Sequence, residues 1–285
     1  MQNLRIWKYL SLPWMAIALF FFVTFIFLAF FKGTSIEYLT NDYLLGLFKN
    51  TIILSFLTAF ISALIAMPLA ILVTFYDFPG RKFFSWGLSL SIAFPAYVYA
   101  FIYVGIFEYS SPISSYLRYF NIALPSIKNL FGASIILSMA LFPYIYLLLR
   151  VKLASVGLDL FRAAKSLGNN NTTSILKVII PSLLPVVIAG MTLVIFETIA
   201  DFGGVSTLRI ETFTVGIYNA WFGYQSYFSA ARLAGYLLIF VFVIIFIAKF
   251  YESKQANLAQ KTSEVFEGME LVPYKRFLAT FYCSS

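Results

Sequence analysis

Six stretches of the sequence are apolar for about 20 residues or more, the length of helix that crosses a hydrocarbon core about 30 Å thick. They are Leu12–Phe31, Asn50–Tyr76, Phe84–Phe107, Leu130–Leu149, Ile179–Ala200 and Leu233–Phe250. No water is available in lipid, so every backbone N–H and C=O must be satisfied within the segment, and helices do this. The pattern predicts an all-α, polytopic bundle of six transmembrane helices. Composition agrees: of 285 residues 61% are hydrophobic and 11% charged, against roughly 45–50% and 25% in soluble domains. Leu12–Phe31 is too long and too aromatic for a signal-peptide core.

The same composition closes most routes to catalysis. The chain has no His and one Cys, Cys283. Imidazole bases, haem axial His, zinc sites built on His and thiolate clusters are therefore excluded. No Gly-rich phosphate loop of the Walker type occurs. No catalytic residue, metal site or cofactor is expected, and the chain should not hydrolyse ATP itself.

The net charge of +8 would raise nucleic acid as a partner in a soluble protein. In a membrane protein its sidedness matters more, because cytoplasmic loops collect Lys and Arg. With a cytoplasmic N-terminus, one side receives the arm 1–11, Asp77–Phe83, Arg150–Val178 and the tail 251–285. With Lys249 at the end of the sixth span, that side holds fourteen Lys and Arg against six on the other. The N-terminus and the tail are predicted cytoplasmic, with no nucleic-acid partner.

Four prolines, Pro68, Pro95, Pro143 and Pro185, lie within the spans. Each removes one intrahelical hydrogen bond. Such prolines serve the shape-fitting of membrane helices as readily as they line a translocation path. The outer segment Asp201–Arg232 is rich in apolar residues, including Phe213, Trp221 and Phe222, and predicts an interfacial or re-entrant helix. The polar stretch after Glu252 reads as a solvated linker.

The most informative segment is Leu160–Pro181, a long loop on the basic side. Ala163, Ala164 and Leu167 favour a helix, and Gly168 is a good C-terminal breaker because only Gly enters the left-handed region freely. The Asn169–Asn171 run makes a turn, and Thr172 or Thr173 can cap the next helix. The order is Ala-Ala, three residues, Gly, nine residues, an aliphatic, one residue, an aliphatic, Pro. Ala163, Ala164, Gly168, Val178, Ile180 and Pro181 match it in register. This resembles the EAA loop of binding-protein-dependent ABC importer permeases, which have the MetI-like fold. The resemblance implies a short helix that docks on a cytoplasmic ATPase and passes its motion to the membrane helices. It assigns ATPase coupling to Arg162, Ala163, Ala164, Leu167, Gly168 and Pro181. The family's usual Glu is Arg162 here, which alters the charge of the docking face.

Further stretches resemble the ferric-iron permeases of that family: Tyr76–Lys82, Phe94–Phe101, Phe142–Tyr146, Glu197–Gly203 and Thr212–Gly223. They cover most of Trp14–Phe250. The resemblance implies an inner-membrane permease subunit, a periplasmic binding protein, a cytoplasmic ATPase dimer that binds the ATP, and a second permease half. Ferric iron is the first substrate, with thiamine, polyamine, phosphonate or another oxyanion as alternatives. An ion-gradient-driven secondary transporter is a rival, but would usually place more ionisable groups near the midplane. A scaffolding protein without a transport cycle is a second rival.

Glu197 and Asp201 lie one helical turn apart at the outer end of the fifth span. They form either an acidic patch on a gate or a helix-anchoring pair, the latter by hydrogen bond or by ion pair with Arg209. Pro95 and Tyr97 are further candidates for the path. Tyr99, Tyr103, Tyr144 and Tyr146 serve as path liners or as packing groups. Leu271–Cys283 looks like the approach to a seventh span, as in ferric-type chains that fuse two six-helix halves.

Overall fold

The computed structural model describes residues 13–17, 20, 23–24, 27 and 39–264, and all regular structure among them is helical. The arm 1–11, most of Leu12–Phe31, Leu271–Cys283 and Cys283 itself lie outside the described residues. The chain divides into two units at Tyr236 and Leu237.

From Asn41 onward, and among the described residues, the α-helices in chain order are α1 (Asn41–Phe75), α2 (Arg81–Gly87), α3 (Ala96–Phe107), α4 (Pro112–Tyr119), α5 (Leu130–Lys152), α6 (Leu158–Ser166), α7 (Asn171–Ser174), α8 (Ile180–Ala200), α9 (Gly203–Thr207), α10 (Phe213–Tyr218) and α11 (Tyr227–Glu264). Tighter or wider turns join several of them. A 3₁₀ segment, Leu88–Ala93, follows α2, and π-turns at Leu153–Gly157, Ile175–Ile179 and Asn219–Gly223 precede α6, precede α8 and follow α10.

Among the described residues, four helical stretches are long and apolar enough to cross a membrane: Asn41–Phe75, Leu130–Ser155, Asn171–Ala200 and Tyr227–Phe246. The expected third span, Phe84–Phe107, is not one straight helix. Arg81–Ala93 and Ala96–Tyr119 meet at 92°, and count as a fifth span only if the bent pair is taken together. The break falls at Phe94, whose backbone is extended (φ −98°, ψ 122°). Pro95 follows it, and its ring disfavours the helical region for the preceding residue. Pro68, Pro143 and Pro185 remain inside α1, α5 and α8. The expected linker after Glu252 is helical through Glu264. Lys, Gln, Ala and Leu are good helix formers, and no Gly or Pro interrupts them there.

α1, α5 and α8 pack on one another, with α5 at the centre. About 67% of the α5 span is buried, against 44% of the α1 span and 33% of Asn171–Ala200. The contacts use small residues. α1 turns Ser55, Thr58, Ala59, Ser62, Ala63, Ala66 and Ala70 inward. Gly190 of α8 lies so close to α5 that a Cβ there would stand 3.0 Å from Ile145 Cγ1. Lipid tails are as apolar as Leu, so van der Waals contact between backbones, rather than burial from water, holds such helices together. Large apolar side chains such as Phe56, Phe60, Leu64 and Ile188 point outward.

The segment after α8 folds back on the bundle, as the apolar outer loop predicts. Val205 and Leu208, Ile210 and Val215 share one buried cluster with Leu54 of α1, Ala100 of α3 and Ala133, Ile136 and Leu137 of α5. Polar contacts hold this loop at the N-terminal half of α1. The Phe213 amide donates to Thr51 Oγ1 at 3.2 Å and Asn50 Nδ2 to the Glu211 carbonyl at 2.9 Å.

Candidate functional site

Two sites stand at opposite ends of α8, whose 21 residues span roughly 30 Å at 1.5 Å per residue. The first is the helical corner before α8. α6 ends in a Schellman arrangement: the Asn169 amide donates to the Ala164 carbonyl at 3.3 Å and the Gly168 amide to that of Lys165 at 3.0 Å. Gly168 itself has φ +84°, a left-handed conformation that costs a side chain energy. α7 then starts on Asn170, whose Oδ1 accepts from the Thr173 amide at 2.7 Å. The cap is thus Asn170 and not Thr172 or Thr173, because the turn completes two residues before Thr172. Asn170→Ala should cost about 1 kcal/mol, as loss of an N-cap does, readable as a lower thermal unfolding temperature of the purified chain.

The predicted coupling residues divide by face. Ala164 is buried, at 4% exposure, whereas Leu167 is 82% exposed. Arg162, Ala163, Gly168 and Pro181 are also exposed. Arg162 meets Asp159 at 3.9 Å, but both side chains are more than three-quarters exposed. Such a pair contributes little and leaves the guanidinium able to meet a partner. The buried side of α6 touches the bundle through Phe161, whose ring stands 5.0 Å from that of Phe75 at the end of α1. Phe161 was not among the expected coupling residues, and only the tertiary contact singles it out. Pro181 is accommodated by the π-turn just before it, where the Ile180 amide donates five residues back to Ile175.

The second site is a cleft of about 320 Å³ at the other end of α8, where the bend at Pro95 faces the C-terminus of that helix. Pro95, Ala140, Tyr144, Glu197 and Asp201 are among its lining residues, and no Lys or Arg is. The structure thus brings Pro95, Glu197 and Asp201 together. Tyr97 stands beside them, packed so closely on α9 that a Cβ on Gly203 would lie 2.9 Å from its own Cβ.

The two carboxylates differ in role. Asp201 Oδ2 accepts from the Val205 amide at 2.9 Å, and its carbonyl accepts from Thr214 Oγ1 at 2.8 Å. Burial raises the Asp201 carboxyl above the ordinary carboxylate range; the Val205 and Gly204 amides pull it down, and Glu197 pushes it up. Asp201 therefore anchors the folded-back loop by hydrogen bonds. Glu197 is exposed and lines the cleft together with Tyr144. Among the described residues neither acid forms an ion pair with Arg209, and no three His, Cys, Asp or Glu side chains gather as a metal site.

Of the other tyrosines, Tyr99 and Tyr103 are packing groups. Tyr99 Oη lies 2.5 Å from Ser91 Oγ, and Tyr103 donates to Met139 Sδ at 3.1 Å. Tyr146 donates to the Ser85 carbonyl at 3.0 Å.

Residues 66–264 match the family described as binding-protein-dependent transport system inner membrane component. The sulfate transport system permease protein CysT of Escherichia coli is 24% identical over 169 residues, 59% of this chain and 60% of that protein. The Fe(3+)-transport system permease protein FbpB 2 of Haemophilus influenzae is 24% identical over 221 residues, 78% of this chain and 40% of that protein. The chain thus spans about three-fifths of the first relative and two-fifths of the second. Two solved structures share the fold. A bacterial ABC transporter involved in import of the polysaccharide alginate aligns with TM-score 0.61 at 17% identity, covering 88% of this chain and 99% of that one. An amino acid ABC transporter aligns with TM-score 0.53 at 17% identity, covering 78% and 100%.

Proposed function

The chain belongs to the family of binding-protein-dependent transport system inner membrane components, and from that premise we propose that it forms half of the translocation pathway of an ABC importer. The observation that carries this is the corner at Gly168. An exposed face of Arg162, Ala163 and Leu167 stands on a helix whose other face touches α1 through Phe161 and Phe75. A partner ATPase docked on that face would move α6 as it closes, and α6 would move the end of α1. In this reading ATP is bound by the ATPase dimer and the chain has no cofactor. A periplasmic binding protein delivers the substrate to the end bearing Glu197, and a second permease half completes the path. The Gly168 end then faces the cytoplasm, as does the N-terminus, in keeping with the basic residues on that side.

Ferric iron is the proposed substrate. The cleft carries carboxylates and no Lys or Arg among its lining residues, a field that favours cations and repels oxyanions. A second reading, transport of an oxyanion, is favoured by the relatives named as sulfate permeases. Uptake of labelled ferric iron and of labelled sulfate, with and without the chain, separates the two. Loss of iron uptake alone is expected; loss of sulfate uptake alone overturns the iron assignment.

Glu197→Gln should lower cation uptake about fivefold. A unit charge about 4 Å from a hydrated ion is worth roughly 1 kcal/mol. Glu197→Lys should lower it further. If neither variant changes the rate of iron uptake in membranes holding equal amounts of protein, Glu197 takes no part in the path.

A further inference from the structure

A cleft of about 690 Å³ opens at the Gly168 end, between the end of α1, the turn at Asp77–Gly80, α2 and the end of α5. Three cations line it, Arg81, Lys82 and Arg150, with one carboxylate, Asp77. Their commitments differ. Arg81 caps α1: its Nε donates to the Val73 carbonyl at 2.8 Å and one terminal nitrogen to that of Thr74 at 3.0 Å. Its other terminal nitrogen stands 3.9 Å from Asp77, whose side chain is 94% exposed. Arg150 spends one nitrogen on the Ser85 carbonyl, the acceptor that Tyr146 also uses. The Lys82 ammonium has no hydrogen bond or ion pair among the described residues. Three positive charges against one negative, with donors left over on Lys82 and Arg150, form a site for an anion.

The surroundings indicate which anion. Phe83, Phe84 and Trp86 of α2 are each about half exposed, and they stack edge-on, Phe83 on Phe84 at 5.7 Å and on Trp86 at 5.4 Å. Aromatic groups beside basic ones mark the headgroup level of a bilayer. Basic side chains at that level attract anionic lipid. A free phosphate would have no use for the exposed aromatic rings that α2 carries next to Lys82. We propose that the cleft binds the phosphate of an anionic phospholipid, held by Lys82 and Arg150, with its acyl chains along Phe83 and Trp86. Arg150 stands three residues before the π-turn that leads into α6, so the lipid would brace the root of the coupling segment. The site does not depend on which substrate is carried, or on whether the chain transports at all.

The test uses the full chain in nanodiscs of phosphatidylcholine with and without phosphatidylglycerol, counting retained lipid by native mass spectrometry after release into detergent. Phosphatidylglycerol should be retained in preference to phosphatidylcholine. Lys82→Gln should lower that retention about fivefold, the scale of one basic residue at an anionic surface. Lys177→Gln, an exposed Lys outside the cleft, should leave it unchanged. Because Arg150→Gln also removes a bond to α2 and can disturb the fold, Lys82→Gln decides. Equal retention of the two lipids, or retention unmoved by Lys82→Gln, overturns the proposal. So does full displacement of phosphatidylglycerol by inorganic phosphate, which would make the site one for the free ion.

Discussion

Gly168→Val is expected to reduce binding-protein-dependent uptake at least tenfold while the chain still reaches the membrane. The residue has φ +84°, and nothing lies within 4 Å of where a Cβ would stand. The penalty is therefore in the backbone and not in a clash. A side chain in the left-handed region costs about 1–2 kcal/mol, and a β-branched one more. The turn can escape that cost by changing conformation, which releases the Asn169 and Gly168 amides and re-aims α6 against α7. Asn enters the left-handed region far more readily than Val, so Gly168→Asn should restore much of the activity. Uptake and ATPase stimulation in the assembled complex, with membrane abundance measured alongside, read the effect. Full coupling in the Val variant would remove the corner from the transmission path. A loss equal in Val and Asn variants would point to contact with the partner instead of turn geometry.

The second large effect falls on folding. A Cβ at Gly132 would stand 2.5 Å from the Ile127 carbonyl oxygen and 2.8 Å from its Cα. These are backbone atoms, and they cannot rotate aside as a side-chain tip can. The Gly132 amide is also held by Asn129 Oδ1 at 2.8 Å, the N-cap of α5. Gly132→Val must displace either the loop or the start of the most buried helix. It should cost about 3 kcal/mol or more, the upper range for overpacking. Thermal unfolding of purified protein and the yield of folded chain measure it. Gly46→Ala is the contrast: it lies in α1 with nothing within 4 Å, and Ala is the better helix former. It should be neutral or slightly stabilising. Equal stability of wild type and Gly132→Val would show that the loop yields without cost.

Much of the corner at Gly168 is legible from residue order. Gly168 ends a helix because of its own backbone freedom, and the neighbouring alanines, arginine and leucine fall on faces set by the 3.6-residue period. Phe161 was not legible, since its role is a contact with Phe75, far earlier in the chain. The cleft at the other end of α8 was half legible. Glu197 and Asp201 were seen as a pair one turn apart, but their division of labour depends on the amides of α9, which fold back onto Asp201 alone.

The apolar stretches by themselves determined that the described chain is helical and spans a membrane, because satisfying the backbone in lipid is a requirement each segment must meet locally. They gave the cores of α1, α5 and α8 correctly for that reason. Which proline breaks a helix was decided only by the tertiary structure. Pro68, Pro143 and Pro185 carry the same missing donor as Pro95, yet their helices continue. At Pro95 the chain turns through a right angle, and the 3₁₀ segment before it is tied to α3 and α5 through Ser91. A freed carbonyl finds its substitute partner in whatever packs beside it, and that neighbour is a property of the assembled bundle.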